Sequence, residues 1–195
     1  MKSIFMKKDQ TDMTPPAVEN TQQSDSAPRD VAHKLAEVQS QIKEAKGQRP
    51  PRYGDAPVTL VAVSKRQPDD KIDAALAAGQ RVFGENRVQE ASQRWTFRRT
   101  AYSDLTLHLI GPLQTNKAAE AVALFDVIEV VDREKLARAL SKEMARQNRF
   151  LPCYIQVNTG EEPQKSGILP DQLEGFTQFC RDQLALPTIG LMCIP

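Results

Sequence analysis

Short apolar segments alternate with amphipathic segments along most of this chain of 195 residues. The apolar segments predict six strands, at 58–64, 81–86, 105–111, 126–131, 151–158 and 186–194. The segments between them predict helices at 68–79, 87–95, 113–125, 133–147 and 169–183. This alternation is typical of βαβ units and predicts a parallel sheet. Both an open doubly wound sheet and a (β/α)₈ barrel agree with it.

The N-terminal part of the chain has a different composition. Residues 1–28 are rich in Gln, Ser, Thr, Asp and Pro, so they bury too little apolar surface to offset the entropy of ordering. We therefore expect a disordered leader at 1–28 and one domain at 29–195. Asp30 is the predicted N-cap of a helix that precedes the first strand.

Composition excludes several classes of protein. The formal net charge is +1, so the basic surplus of a general nucleic-acid-binding protein is missing. No apolar run approaches the roughly 18 residues of a membrane span, and the N-terminus lacks the apolar core of a secretory signal. The three cysteines form no C-x-x-C pair, which favours buried thiols over a metal site. These features predict a cytoplasmic protein with no nucleic-acid, membrane or metal partner.

Polar residues follow several predicted strands, where the ligand sites of βα barrels lie. Lys65 follows the first strand and shares a face with Val61 and Val63. Apolar walls would lower the pKa of its amine and favour the nucleophilic form, which condenses with aldehydes to form a Schiff base. The alternative is a lysine that extends from a strand end into water.

Other polar residues at strand ends also have two interpretations. Glu85 and Asn86 follow the second strand and could hydrogen-bond a ligand, but Asn86 could instead cap the next helix. His108 is either a catalytic residue or a hydrogen-bonded core histidine. Lys165 lies in a polar loop after the fifth strand, either as an anion contact or as part of a solvated turn.

Five stretches narrow these alternatives: LVAVSKRQP, FGENRVQE, LHLIGPLQTNK, NTGEEPQKSGI and GLMCIP, in that order. In combination they resemble the pyridoxal phosphate homeostasis protein family, whose members are single-domain relatives of the alanine racemase N-terminal barrel. The resemblance covers about residues 30–195. It implies a (β/α)₈ barrel of TIM type that binds pyridoxal 5'-phosphate and acts in intracellular homeostasis of this cofactor without a defined reaction.

The resemblance also implies the site residues. Lys65 would carry the cofactor as a Schiff base, with Asn86, Met192 and Ile194 around the cofactor ring and Lys165 on the same rim. It implies no catalytic residue. Members of the family are often monomers, so the resemblance implies a monomer whose partner is the small-molecule cofactor.

This sequence departs from the family pattern towards its C-terminal end. The Ser-x-Gly-Met-Ser motif and the Arg-x-Gly strand that bind the cofactor phosphate in the family do not occur here. We therefore expect an incomplete barrel of about six βα units from a chain cut short, with weaker cofactor binding. Its first and sixth strands would have open edges, which favour association with another chain.

Two alternative functions are a racemase-like enzyme that uses the same cofactor and a fragment that does not bind it. The racemase would need a tyrosine from a second, β-rich domain. Tyr53, Tyr102 and Tyr154 stand in no matching motif.

Overall fold

The computed structural model describes residues 26–50, 54 and 56–194 of the chain. The first helix, α1, spans Ser26–Gly47. It begins four residues before Asp30, so the prediction that Asp30 is the N-cap is wrong. Residues 1–25 of the predicted leader lie outside the described residues, whereas Ser26, Ala27 and Pro28 belong to α1.

Six parallel strands form one sheet in the order in which they occur along the chain. They are β1 (Ala62–Val63), β2 (Val82–Glu85), β3 (Thr106–Leu109), β4 (Val127–Val131), β5 (Cys153–Gln156) and β6 (Thr188–Met192). A doubly wound sheet reverses its strand order at a switch point, which this sheet does not do. The order is that of consecutive βα units of a (β/α)₈ barrel, and it settles the choice that the sequence left open.

Helices connect the strands. They are α2 (Asp69–Ala77), α3 (Val88–Ala101), α4 (Ala118–Leu124), α5 (Glu134–Gln147) and α6 (Leu173–Gln178). A short 3₁₀ turn leads into α4 and another into α6, while a π-helical turn at Phe179–Gln183 continues α6. Pro170 lies in the first turn before α6, as predicted, because proline needs no N–H partner there.

The two faces of the sheet have different surroundings. The core lies between one face and the helices, where Phe83, Leu107, Ile128 and Ile155 are almost completely buried. The opposite face carries Gly84 and its paired neighbour His108. It is the inner face of the barrel arrangement, and most of its side chains are only partly buried, although Gln156 is buried.

β1 contains two residues, although seven were predicted for this segment. It pairs with β2 on one side, and within the described part of the chain no strand pairs with its other edge. Val63 is therefore 46% exposed. β6 is the other edge strand, and it pairs only with β5 among the described residues.

The three cysteines are free thiols, and Cys153 and Cys180 are buried. Burial raises the pKa of Cys153 to about 12 and that of Cys180 to about 11. Both therefore stay protonated at neutral pH, which agrees with their prediction as buried hydrophobic residues. Cys193 is exposed, so the prediction of a buried thiol is wrong at that position. Among the described helices, none is both long enough and apolar enough to cross a bilayer.

Candidate functional site

Lys65 lies immediately beyond β1, at the carboxyl-terminal edge of the sheet. Its side chain is exposed, and none of the hydrogen bonds and ion pairs between described residues involves its amine. The turn that carries it is closed by a hydrogen bond from the Gln67 N–H to the Ser64 carbonyl at 3.1 Å. Arg66 in this turn has a φ of 58°, a conformation that non-glycine residues rarely adopt. The amine is therefore accessible to solvent, and the expectation that apolar walls surround it is wrong. The side chain extends from the strand end into water, as the alternative interpretation predicted.

Glu85 is fully buried and lies on the core-facing side of β2, with Phe83. Its Oε1 atom accepts hydrogen bonds from the Ser64 hydroxyl at 2.8 Å, from Arg94 at 2.9 Å and from the Trp95 indole at 2.9 Å. The hypothesis that Glu85 binds a ligand at the strand ends is therefore wrong. Alternation along β2 turns its carboxylate towards α3 instead.

Asn86 lines an open cavity of about 710 Å³ at the carboxyl ends of the strands. Its other lining residues come from the segments that follow β2, β3, β4 and β5, including the start of α3, and among them are Arg87, Lys117, Arg133 and Ser166. The Asn86 Oδ1 atom is buried and has no hydrogen-bond partner among the described residues. Arg87, not Asn86, occupies the N-cap position of α3, so the capping alternative for Asn86 is wrong.

Lys165 lies in the loop between β5 and α6. Asn158 orders this loop, since its Nδ2 donates to the Glu162 carbonyl at 2.8 Å and its Oδ1 accepts from the Glu162 N–H. The Lys165 amine pairs with the Glu162 carboxylate at 2.7 Å. Its neighbour Ser166 reaches the cavity that Asn86 lines, but Lys165 itself does not line it.

His108 lies on the inner face of the sheet and contacts Glu129 on the neighbouring strand. The distance from its Nδ1 to the Glu129 Oε1 is 2.5 Å, and both side chains are mostly buried. His108 is therefore a hydrogen-bonded histidine, as one of its two interpretations predicted. It lies on the inner face, however, and not in the core between sheet and helices.

Met192 and Ile194 lie at the opposite edge of the sheet from Lys65. Met192 ends β6, pairs with Gln156 and is partly buried. Ile194 follows the strand and is 59% exposed. Neither residue lines the cavity that contains Asn86. The structure thus places all five predicted residues at or near the carboxyl ends of the strands, without bringing them into one cavity.

The sequence reasoning missed Arg94 and Trp95, whose side chains hold Glu85 and the end of β1. One signal was available for Trp95, since it is the chain's single tryptophan and lies in a predicted helix. A large aromatic residue of this kind usually packs against the core, and its N–H needs a buried partner. No comparable signal identifies Arg94.

Comparison with known proteins agrees with the barrel-type order of the six parallel strands. The family model for the alanine racemase N-terminal domain matches residues 52–195. The pyridoxal phosphate homeostasis proteins of Escherichia coli K12 and Vibrio cholerae are 37% and 38% identical to this chain over 169 residues. These matches cover 85% and 86% of this chain, and 70% and 71% of the relatives.

Solved structures show the same similarity. PipY of Synechococcus elongatus with PLP bound has a TM-score of 0.67 and 38% identity, over 85% of this chain and 70% of PipY. An alanine racemase from E. faecalis is only 15% identical, with a TM-score of 0.56 over 87% of this chain and 42% of the racemase. The racemase therefore shows the shared fold alone. With its α/β fold of the alanine racemase N-terminal type, this chain belongs to the pyridoxal phosphate homeostasis protein family.

Proposed function

We propose that this chain binds pyridoxal 5'-phosphate as a Schiff base on Lys65 and takes part in cytoplasmic homeostasis of the cofactor, without catalytic turnover. The names of the curated relatives and the PLP-bound state of PipY support the choice of cofactor. The single observation that carries the site is the exposed Lys65 amine at the carboxyl end of β1, which has no hydrogen-bond or ion-pair partner among the described residues.

The residues present fit this cofactor. Pyridoxal 5'-phosphate supplies an aldehyde, which condenses with a lysine amine and releases water. Lys65 offers an amine that is free of hydrogen bonds and ion pairs to other described residues. Asn86 offers an amide whose oxygen is buried and unpartnered among those residues, so its side chain has hydrogen-bonding capacity left for a ligand.

Further residues have supporting roles in the proposal. Lys165 and Ser166 lie in one loop, and we assign Lys165 to the rim of the site. Met192 and Ile194 would contribute apolar contacts from the far edge of the sheet. Lys165 pairs with Glu162. To contact a cofactor, its amine must either leave Glu162 or bind the cofactor while still paired with Glu162.

The test is a titration of pyridoxal 5'-phosphate into the purified wild type, Lys65→Ala and the control Lys71→Ala. Lys71 is also an exposed lysine, but it lies in α2. We expect the absorbance band of the protein-bound cofactor in the wild type and in Lys71→Ala, and its loss in Lys65→Ala. Borohydride reduction and peptide mass spectrometry should place the cofactor on Lys65.

Equal bands in wild type and Lys65→Ala would overturn the assignment of Lys65. A wild type that shows no saturable binding would favour the non-binding alternative. Racemisation of alanine by the loaded wild type would replace homeostasis with catalysis as the function.

A further inference from the structure

We infer that Arg94 is a positioning residue for Lys65, with the buried Glu85 holding its guanidinium in place. Arg94 lies in α3, outside the turn that carries Lys65. Nevertheless, its Nη1 donates to the Ser64 carbonyl at 2.9 Å and its Nη2 donates to the Gln67 carbonyl at 3.1 Å. The two carbonyls lie on either side of Lys65 in sequence, so one guanidinium holds both ends of the turn.

Glu85 fixes the position of this guanidinium. Arg94 Nη1 donates to Glu85 Oε1 at 2.9 Å, and the same oxygen accepts from the Ser64 hydroxyl and from the Trp95 indole. Glu85 is fully buried, while the Arg94 side chain is 16% exposed. Charge-assisted hydrogen bonds between buried groups are strong and directional, so the carboxylate orients Arg94 relative to β2 and α3.

The conformation of the turn explains why it needs such a restraint. Arg66 adopts a φ of 58°, which is unfavourable for a residue with a side chain. Strained backbone of this kind persists only where surrounding contacts determine it. Without the Arg94 bonds, the turn is free to relax to a negative φ, and the Lys65 amine then moves relative to the sheet.

The chain also offers a matched control. Arg98 lies one turn later in α3, and its side chain is 13% exposed. It forms a bidentate pair with Asp73, at 2.7 and 3.1 Å. Within the described part of the chain, it makes no hydrogen bond to the turn at 64–67, unlike Arg94. Its Nη1 donates to the Arg94 backbone carbonyl at 2.8 Å, and both arginines lie near Asp69, Arg94 at 3.8 Å and Arg98 at 3.4 Å. Arg98→Lys therefore removes a comparable fork from the same helix without releasing Lys65.

The inference rests on the proposed function, so one readout is independent of the cofactor. We propose acylating the amines of wild type, Arg94→Lys and Arg98→Lys with a neutral reagent, N-hydroxysuccinimidyl acetate. Peptide mass spectrometry then gives the acylation rate of Lys65 relative to Lys71 in the same molecule. We expect Arg94→Lys to change this ratio and Arg98→Lys to leave it at the wild-type value.

The second readout is cofactor binding. A misplacement of about 1 Å can lower the rate at which a positioned group reacts by ~100-fold. We therefore expect Arg94→Lys to raise the half-saturating concentration of pyridoxal 5'-phosphate by about tenfold. Arg98→Lys should bind like the wild type. Thermal unfolding of both variants measures how much stability each substitution removes. If Arg94 had a purely structural role, the two substitutions would have similar effects on acylation and on cofactor binding.

An unchanged Lys65 acylation ratio in folded Arg94→Lys overturns the inference, whatever the result with the cofactor. A wild type that does not bind the cofactor contradicts the proposed function, while the acylation ratio still decides the role of Arg94. If Arg94→Lys does not fold, Arg94→Gln is measured in its place, with Arg98→Gln as its control and the same expected results.

Discussion

Two glycines show how strongly the effect of one methyl group depends on its surroundings. Gly111 follows β3, and a Cβ atom there would lie 2.5 Å from the carbonyl oxygen of Asn86 and 2.6 Å from its Cα. Gly175 lies in α6, and a Cβ atom there would have no neighbour within 4 Å. The first position keeps the loop that carries Asn86 close to the end of β3, whereas the second lies in open space.

Gly111→Ala and Gly175→Ala should therefore change stability in opposite directions. Overpacking against backbone atoms should lower the free energy of unfolding of Gly111→Ala by about 1–3 kcal/mol. Gly175→Ala should raise it by about 0.5–1 kcal/mol, because alanine loses less backbone entropy in a helix. Urea unfolding at neutral pH measures both values. A Gly111→Ala variant that is as stable as the wild type would show that the contact at Gly111 relaxes without cost.

At the scale of secondary-structure elements, Asp126 joins several parts of the fold at the start of β4. Its Oδ2 accepts from the Leu107 N–H of β3 at 2.8 Å and from Arg99 of α3. Its Oδ1 accepts from Arg149, which follows α5, at 2.9 Å. The site lies at the amino-terminal end of the strand, away from Lys65. In barrels of this type, that end contributes to stability more than to ligand binding.

Asp126→Asn should lower the free energy of unfolding without changing the site. We expect a loss of about 1–2 kcal/mol, because hydrogen bonds to a charged group are replaced by weaker ones at a partly exposed position. The control is Asp182→Asn, which breaks the exposed pair with Arg181 and should cause no measurable loss. Urea unfolding gives the free energies, and the Lys65 acylation rate should be the same in both variants. An acylation rate that changes in Asp126→Asn would show that the two ends of the fold are coupled.

At the scale of the whole molecule, the sheet has two edge strands, β1 and β6, with no further strand beside either of them in the described part of the chain. Leu191 pairs with the buried Ile155, so it lies on the face that helices cover elsewhere, yet it is 57% exposed. Ile189 on the same strand is 60% exposed. Open edges with exposed apolar side chains favour pairing between chains.

We therefore expect this chain to associate as its concentration rises, although the resemblance to its family implies a monomer. Leu191→Lys should shift the association to higher concentrations, because a charge at a sheet edge opposes pairing. Phe97→Lys is the control, since Phe97 is 80% exposed but lies in α3. Sedimentation velocity over a range of concentrations measures the shift. A wild type that stays monomeric throughout would contradict the expectation.

Much of the fold followed from local pattern. The apolar alternation predicted all six strands and the helices between them, although β1 is shorter than expected and α1 begins earlier. The boundaries differ because pairing ends a strand, and pairing depends on neighbours that are distant in sequence. For β1, only two residues find partners on β2. The motif combination also identified the family, since motifs reflect shared ancestry and need no coordinates.

The side-chain contacts around the candidate site were much less predictable. A pattern places Lys65, Asn86 and Lys165 after strands, but it does not show what each side chain touches. The structure directs Glu85 into the helix layer, leaves Asn86 Oδ1 unpartnered among the described residues and pairs Lys165 with Glu162. Such contacts depend on the relative rotation and height of packed elements, which short-range periodicity does not contain.

Arg94 is the clearest example of this difference in scale. In the sequence it is one of several arginines in a charged helix, 29 residues after Lys65. In the folded chain its guanidinium hydrogen-bonds to both ends of the Lys65 turn. The type of each element and the order of the elements along the chain follow from local hydrophobic periodicity, which is a property of the sequence itself. The restraint on Lys65 arises from packing α3 against the ends of β1 and β2, and packing exists only in three dimensions.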